Sequence, residues 1–507
     1  YNSSHLLGFF SIFNDDAIKN INLTKGGFPA RFGGRLSSIL EINMKDGNMK
    51  EWEVEGGISL ISGKITIQGP IKKDKTSIIL SARRTWIDIF KKPITNLLED
   101  YIDINSDGNY YFYDINAKIN HKFSNQDRLY ISMYSGKDRF FGAVKKQETN
   151  ELTHYYWSDK GDPYISIFEG DTRFGLSWSN FTTAIRWNHV FSNKIFANTT
   201  LLYSTYKFDN TINVHNIWSE DFLNSDILVA NDYYNYLYRN GLEDIGIKFD
   251  IDYALNTKHY LKIGASYIRH HFFPGYIDWH ADLQTEDFQK DTTMIFSKSI
   301  KPHNISIYIE DSYTLNNRIS TNLGIHYNIY GVNDKVYHNL QPRTSMRYLI
   351  DENSSLKFSY ATMQQNIHLL TNSSFGLPND MWVPATDLVE PQKSQQIALG
   401  YYISFNKGFI GKWLNFKNHN FEASIELYYK KMQNLITFSE GTNILGTNFS
   451  AWEERVDDSG QGISQGIEFF IKKKTGRLNG WIGYTLSKST RQFEYINLGK
   501  EYPYKFD

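Results

Sequence analysis

Ile245-Gly-Ile247-Lys-Phe249-Asp-Ile251-Asp-Tyr253-Ala-Leu255 switches between apolar and small or charged residues at every step. Successive side chains of an extended chain point to opposite faces. Ile245, Ile247, Phe249, Ile251, Tyr253 and Leu255 therefore share one face, and Gly246, Lys248, Asp250, Asp252 and Ala254 share the other. Two more stretches repeat the pattern. Ile319, Thr321, Leu323, Ile325, Tyr327 and Ile329 oppose Ser320, Asn322, Gly324, His326, Asn328 and Tyr330. Phe421, Ala423, Ile425, Leu427 and Tyr429 oppose Glu422, Ser424, Glu426, Tyr428 and Lys430. Each run lasts about ten residues, the length a tilted strand needs to cross a bilayer, whereas strands in water usually stop at about five or six. One greasy face and one wet face at that length predict an antiparallel transmembrane β-barrel, lipid outside and a polar lumen inside.

The connections sort by size. Short polar turns fall at residues 72–75, 124–127, 192–194, 256–258, 315–318, 351–354 and 473–477, with a somewhat longer link over 406–418. Between them lie long segments at 87–108, 137–173, 209–241, 271–301, 369–390 and 437–460. Short turns at one end and long loops at the other are the rule for outer-membrane barrels, and a soluble sandwich has no reason to obey it. Tyr and Trp cluster near strand ends, as at Tyr155-Tyr156-Trp157, in keeping with interfacial girdles or with ordinary loop packing.

Composition agrees. Aromatic residues make up 16% of the 507 positions while hydrophobic residues reach only 41%, so apolar surface is abundant but diluted. Lumen-facing polar residues cause that dilution. No run approaches the ~18–20 apolar residues of a spanning helix. A net charge of −1 removes the electrostatic case for nucleic-acid binding. With Cys 0, disulfides, thiolate metal sites and cysteine nucleophiles are excluded. Tyr1-Asn2-Ser3-Ser4 has neither the basic head nor the apolar core of a secretion signal, so the chain is expected to begin after export processing.

Residues 1–48 read differently. Lys25-Gly-Gly-Phe-Pro-Ala-Arg31-Phe-Gly33-Gly34-Arg35 is a poor helix and a poor free strand, because glycine raises the entropy cost of ordering and proline removes a donor. So short a segment cannot bury a core of its own and needs an outside scaffold. The run GGFPARFGGRLSSILEINMKDGN, preceded by SIFNDDAIKNINLTK, resembles the C-terminal part of the plug domain of TonB-dependent outer-membrane receptors. Later stretches, LQPRTSMRYLIDENSSLKFSYATMQQNIHLL, WVPATDLVEPQKSQQIALGYY and GQGISQGIEFFIKKKTGRLNGWIGYTLSKS, resemble successive barrel strands of that family.

The resemblance implies a plug portion at 1–48 and a barrel over 49–507. Plugged transporters of this class have about 22 strands, and about 16 are counted here. The barrel is therefore expected to be unclosed and incomplete at its C-terminus. Gly26, Gly27, Pro29, Arg31, Gly33, Gly34 and Arg35 form the plug motif, with inward acids such as Asp250, Asp252 or Glu426 as candidate partners of the arginines; a solvated turn is the bland alternative. The resemblance further implies a Gram-negative outer-membrane location among outer-membrane lipids, a TonB complex engaging a segment before residue 1, and active import of a nutrient such as a glycan, peptide or metal chelate. A surface lipoprotein is a further candidate partner. The rival readings are a passive porin and a plugged barrel serving as a docking subunit.

Other chemistry is sparse. Asp103, Asn105, Asp107 and Asp114 carry the spacing of a calcium loop, with Asp where a bidentate Glu belongs. Tyr110 onward looks like the next strand, so a turn rich in Asx and Gly explains most of it. No cofactor is required. No metalloprotease histidine pairing, nucleophile elbow or phosphate loop is present, and an enzyme is not expected. Trp157, Trp218, Trp279, Trp382 and Trp452 lie in or beside the long segments, where they either pack or offer aromatic faces to a ligand.

Overall fold

In hydrocarbon each unbonded amide costs several kcal/mol, so alternating strands must pair edge to edge around a ring. The computed structural model has that form. It describes the chain except residues 1–3, 6–9, 87, 90–105, 153–163, 223–224, 284–287, 296–297, 371–380, 406–420, 441–451, 476–478 and 505–507. Among the described residues, nineteen strands, from Glu53–Ile58 to Tyr502–Pro503, are ordered as one closed barrel. Long strands pair antiparallel with their sequence neighbours, as Ile195–Phe222 does with Tyr164–Val190 on one side and Ser225–Ala254 on the other. Phe288–Ile295 pairs with the upper half of His259–Leu283, whose lower half pairs with His303–Thr314.

The register places the alternation as the sequence demands. Ile245, Ile247 and Phe249 are exposed on the outer wall, and the other face of the same strand, Gly246 to Asp250, turns to the lumen. Across the ladder Ile247 stands beside Leu201 and Tyr267. This apolar row girdles the barrel.

Two expectations change. Where about sixteen strands are expected, the described residues form nineteen in one closed order, with two-residue Tyr502–Pro503 between Gly480–Gln492 and Glu53–Ile58. Strands this short leave no alternation to count. Gly480–Gln492 is also thinly covered: Trp481 and its neighbour Ile482 are both largely exposed although they point to opposite faces. The long segments 137–173, 209–241 and 271–301 are the second correction. Much of each is strand, because the five strands from Asp127–Leu152 to His259–Leu283 run 26, 27, 28, 30 and 25 residues. Only about ten of those are needed to cross hydrocarbon. The rest stand above it as tall hairpins, favoured by β-branched and aromatic residues such as Ile212, Val214, Tyr234 and Tyr236.

The segment 4–48 lies inside the ring. It bonds to wall strands on two arcs, at Ser81 and Asp138 on one and at Glu310, Arg343 and Lys430 on the other. Its own secondary structure includes a small sheet pairing Ile18–Thr24 with Ile39–Met44, a two-residue pairing of Ser4–His5 with Phe10–Ser11 and a single 3-10 turn over Asp15–Ala17. Its core is borrowed: Phe28 and Leu36 pack with Ala361 and Met363 of the wall.

If the outer face meets lipid, Ile247→Lys should lower folding stability in lipid vesicles by ~2–4 kcal/mol, while Lys248→Ile on the lumen face should cost far less. Urea titration of the vesicle-inserted protein reads both.

Candidate functional site

The turn Gly26–Leu36 is held mostly through its backbone, since a glycine-rich turn offers few side chains. The Arg343 guanidinium, 3% exposed, donates to the Pro29 carbonyl at 2.8 Å and also to the Phe32 carbonyl. His326 Nδ1 lies 2.8 Å from the Ala30 carbonyl, acting there as donor. Arg31 donates from its backbone N–H to Glu310 Oε2 at 3.2 Å and from its guanidinium to Glu310 Oε1 at 2.7 Å. Charge-assisted bonds of this kind contribute ~1.5–3 kcal/mol each. Glycine is required here for two reasons. Gly27 and Gly34 have φ of +65° and +78°. A Cβ on Gly33 would stand 2.4 Å from His326 Nε2, with the ring fixed from its other side by Ala30.

Arg31 thus finds Glu310, and none of the three acids named from the sequence holds it. Asp250 accepts from the Tyr308 hydroxyl at 2.7 Å, Asp252 pairs with Lys262, and Glu426 lines the cavity below. Alternation puts all four acids inward, but only strand stagger decides which is level with the turn. Arg35 donates to the Gly34 carbonyl and lies 5.6 Å over the Trp382 ring. Arg343 and His326 carry no motif of their own; their inward phase is the one signal that could have found them.

A second anchor fixes the start of the lumenal segment. His5 Nδ1 is 2.6 Å from Asp138 Oδ2, and its other nitrogen is 3.6 Å from Asp114 Oδ2. Its ring stacks on Phe112 at 4.2 Å. Arg83 pairs with Asp114 at 2.7 Å and donates to the Ser11 carbonyl at 2.6 Å. Burial pushes the His5 pKa down, but hydrogen bonds and charge from Asp114 and Asp138 outweigh it and leave the value above 6.5.

Above the turn, a short sheet of Ile367–Leu370 paired with Met381–Pro384 crosses the lumen, touching Ser225–Ala254 and His259–Leu283 on one side and Phe421–Phe438 on the other. Tyr330 and Tyr337 bond its trailing carbonyls, Ala385 at 3.2 Å and Thr386 at 2.7 Å. His368 within it is wholly buried, and burial reinforced by the Arg35 charge pushes its pKa down to about 3, so the ring stays neutral. Higher still, the alternation reverses. The inner faces of the tall hairpins carry Trp178, Phe208, Ile212, Tyr236, Tyr238 and Trp279, while charges such as Asp209 and Arg239 turn outward. Below the turn the lumen is polar. A cavity of about 690 Å³ is lined by Lys25, Lys357, Glu352, Glu422, Glu426 and Glu468, and another of about 430 Å³ by Gly26, Gly27, Ser345, Arg347 and Ser359 among others.

The remaining candidates separate. Trp157, Asp103 and Asn105 lie outside the described residues. Asp107 and Asp114 sit on one continuous strand, Ser106–Lys122. Seven residues of extended chain hold them about 23 Å apart, so these two do not share an ion. Asp114 is occupied by Arg83 and His5. Trp218 and Trp279 are strand residues of the inner hairpin wall, and Trp382 belongs to the crossing sheet. Trp452, 2% exposed, packs with Leu370, Met381 and Val383 and offers no face to a ligand.

A ring of strands with an apolar outer belt, a bonded lumenal segment and a crossing sheet above it defines a membrane barrel with an occupied lumen. Residues 84–504 match the family described as TonB dependent receptor-like, beta-barrel, and the chain belongs to that family, placing it in the Gram-negative outer membrane, where the longer connections of such barrels face outward. Its fold is shared with the alcaligin outer membrane receptor FauA of Bordetella pertussis (14% identity, 97% of this chain and 69% of that one, TM-score 0.51). It is also shared with the FrpB iron transporter of Neisseria meningitidis (14% identity, 99% and 73%, TM-score 0.58) and with the ferripyoverdine receptor of Pseudomonas aeruginosa (12% identity, 95% and 61%, TM-score 0.55). None of the curated proteins matches the chain in sequence.

Gly33→Val should force His326 off Ala30 and cost about 1–3 kcal/mol, read as faster proteolysis of the lumenal segment in the folded barrel. For His5, a folded pKa above its unfolded value means the anchor contributes fully below pH 6.5 and is lost as pH rises through the raised folded value. Hydrogen exchange of the segment Ile18–Thr24 should therefore quicken as pH is raised across that window, beyond the intrinsic rate change, and His5→Gln should abolish the excess.

Proposed function

We propose that the chain is the plugged barrel of a TonB-dependent importer, taking a ligand from the outer vestibule and releasing it to the periplasm when the plug is displaced by force. One observation carries the reading: the described residues of 4–48 occupy the lumen and are tied to its wall by hydrogen bonds and ion pairs. Polar contacts between matched groups can be broken one at a time and replaced by water, whereas a greasy interface would resist sliding. No covalent step is involved. The TonB complex would engage a segment preceding these residues, and a surface lipoprotein remains a candidate partner at the vestibule rim.

The ligand class we favour is a ferric chelate. Similar folds include receptors whose names specify alcaligin and ferripyoverdine. An aromatic vestibule wall with the partly exposed Tyr236 and Trp279 suits a compact organic ligand carrying planar groups. A passive porin is disfavoured by the occupied lumen.

Two measurements test the proposal. Liposomes bearing the barrel should swell slowly in small sugars, and rapid swelling would indicate an open pore. Cells relying on this protein should take up labelled ferric chelates only when TonB is present; uptake that persists without TonB would refute active import.

A further inference from the structure

The outer wall carries a feature that transport does not use. Following the ladder across five neighbouring strands at one level gives Tyr113, Lys137, Ser179, Lys207 and Gly241, all on the outer face. One pair higher the row reads Tyr111, Arg139, Ser177, Asp209 and Arg239. Small residues, Ser177, Ser179 and Gly241, thus floor a shallow depression flanked by long basic side chains. Lys137 and Lys207 lie two strands apart, about 10 Å between Cα atoms, so both ammonium groups can reach one bound group.

The charges there are unbalanced. Asp209 accepts from Arg239 at 2.9 Å, and Glu243 accepts from the Tyr203 hydroxyl at 2.6 Å. Arg139 lies 4.9 Å over the Phe141 ring. Among the described residues no ion pair forms at Lys137, Arg139 or Lys207. Arg139 and Lys207 are exposed and Lys137 is half-buried.

Position supplies the second argument. Trp187, exposed beside the short turn at Asp127, marks the inner edge of the lipid belt. Ser179 lies eight residues up the same strand, about 20 Å along the barrel axis at 3.3 Å per residue and a 40° tilt. The apolar band of such barrels is about 25 Å tall, so the depression sits at its outer margin, at headgroup level. Directly below it Ile131, Ile185, Leu201 and Ile247 form an exposed apolar row across the same strands.

We propose that this arc is a binding site for a phosphorylated glycolipid of the outer leaflet, its phosphate held by Lys137, Arg139 and Lys207 and its acyl chains laid on Ile131, Ile185, Leu201 and Ile247. Lysine and arginine are the groups that hold phosphate. The membrane face and the acyl row together select a lipid over a soluble anion. The site depends on the orientation of the barrel, and it stands whether or not the barrel imports a chelate.

The test uses the full chain purified from outer membranes, with retained glycolipid quantified by mass spectrometry and affinity measured against lipid A in detergent. Each surface charge contributes roughly a fivefold factor near an anionic lipid. Lys137→Gln/Arg139→Gln/Lys207→Gln should therefore weaken binding on the order of a hundredfold. Lys137→Arg/Lys207→Arg should retain it, and so should Lys393→Gln/Lys431→Gln on another arc. Dephosphorylated lipid A should compete poorly against the unaltered protein, a readout that stands even if the triple variant does not assemble. Equal loss in the other-arc variant, full retention in the triple variant, undiminished competition by the dephosphorylated lipid, or complete displacement by inorganic phosphate would each overturn the proposal.

Discussion

Hydrocarbon offers no partner for a peptide amide, and that single constraint shapes the molecule. It forces the strands into one antiparallel ladder, and the ladder fixes which side chain stands beside which. Every functional feature here is a consequence of register. The lipid row Ile131, Ile185, Leu201 and Ile247, the basic depression above it and the inward acids are all assembled by pairing, not by proximity in sequence. A shift of one residue would turn each of them to the wrong side.

The direction of polarity reverses along the barrel axis. In the membrane the outer face is apolar and the lumen polar; in the tall hairpins the inner wall is aromatic and the outer face charged. The solvent explains both halves. Lipid demands grease outside, so the lumen takes what is left, whereas water around the hairpins demands charge outside and lets aromatics gather within. A ligand descending the vestibule would pass from aromatic walls, over the crossing sheet and Arg35, toward a lumen lined by carboxylates and hydroxyls.

The lumenal segment is fastened by groups suited to being undone. Arg31 with Glu310, Arg343 with two carbonyls and His5 with two aspartates are each local, directional and replaceable by water. Its buried apolar residues are few: Phe28 and Leu36 pack against the wall, with Ile12, Ala17 and Ala30 also buried. Firm seating in the resting state and release under local force are compatible when the bonds break in series.

Much of this was legible in the chain alone. Period-two alternation over about ten residues specifies spanning strands without a fold template, and the glycine-rich turn announced a segment unable to stand by itself. Which acid meets Arg31 was not legible, because Asp250, Asp252, Glu310 and Glu426 share the same inward phase and differ only in height around a staggered ring. The tall hairpins look like loops in the sequence for a related reason: once the outer solvent is water, the polar and apolar faces exchange places, and the membrane pattern no longer marks a strand. Local sequence sets side-chain direction through the backbone's two-residue repeat; contact between residues hundreds of positions apart depends on shear and register, which only the closed barrel decides.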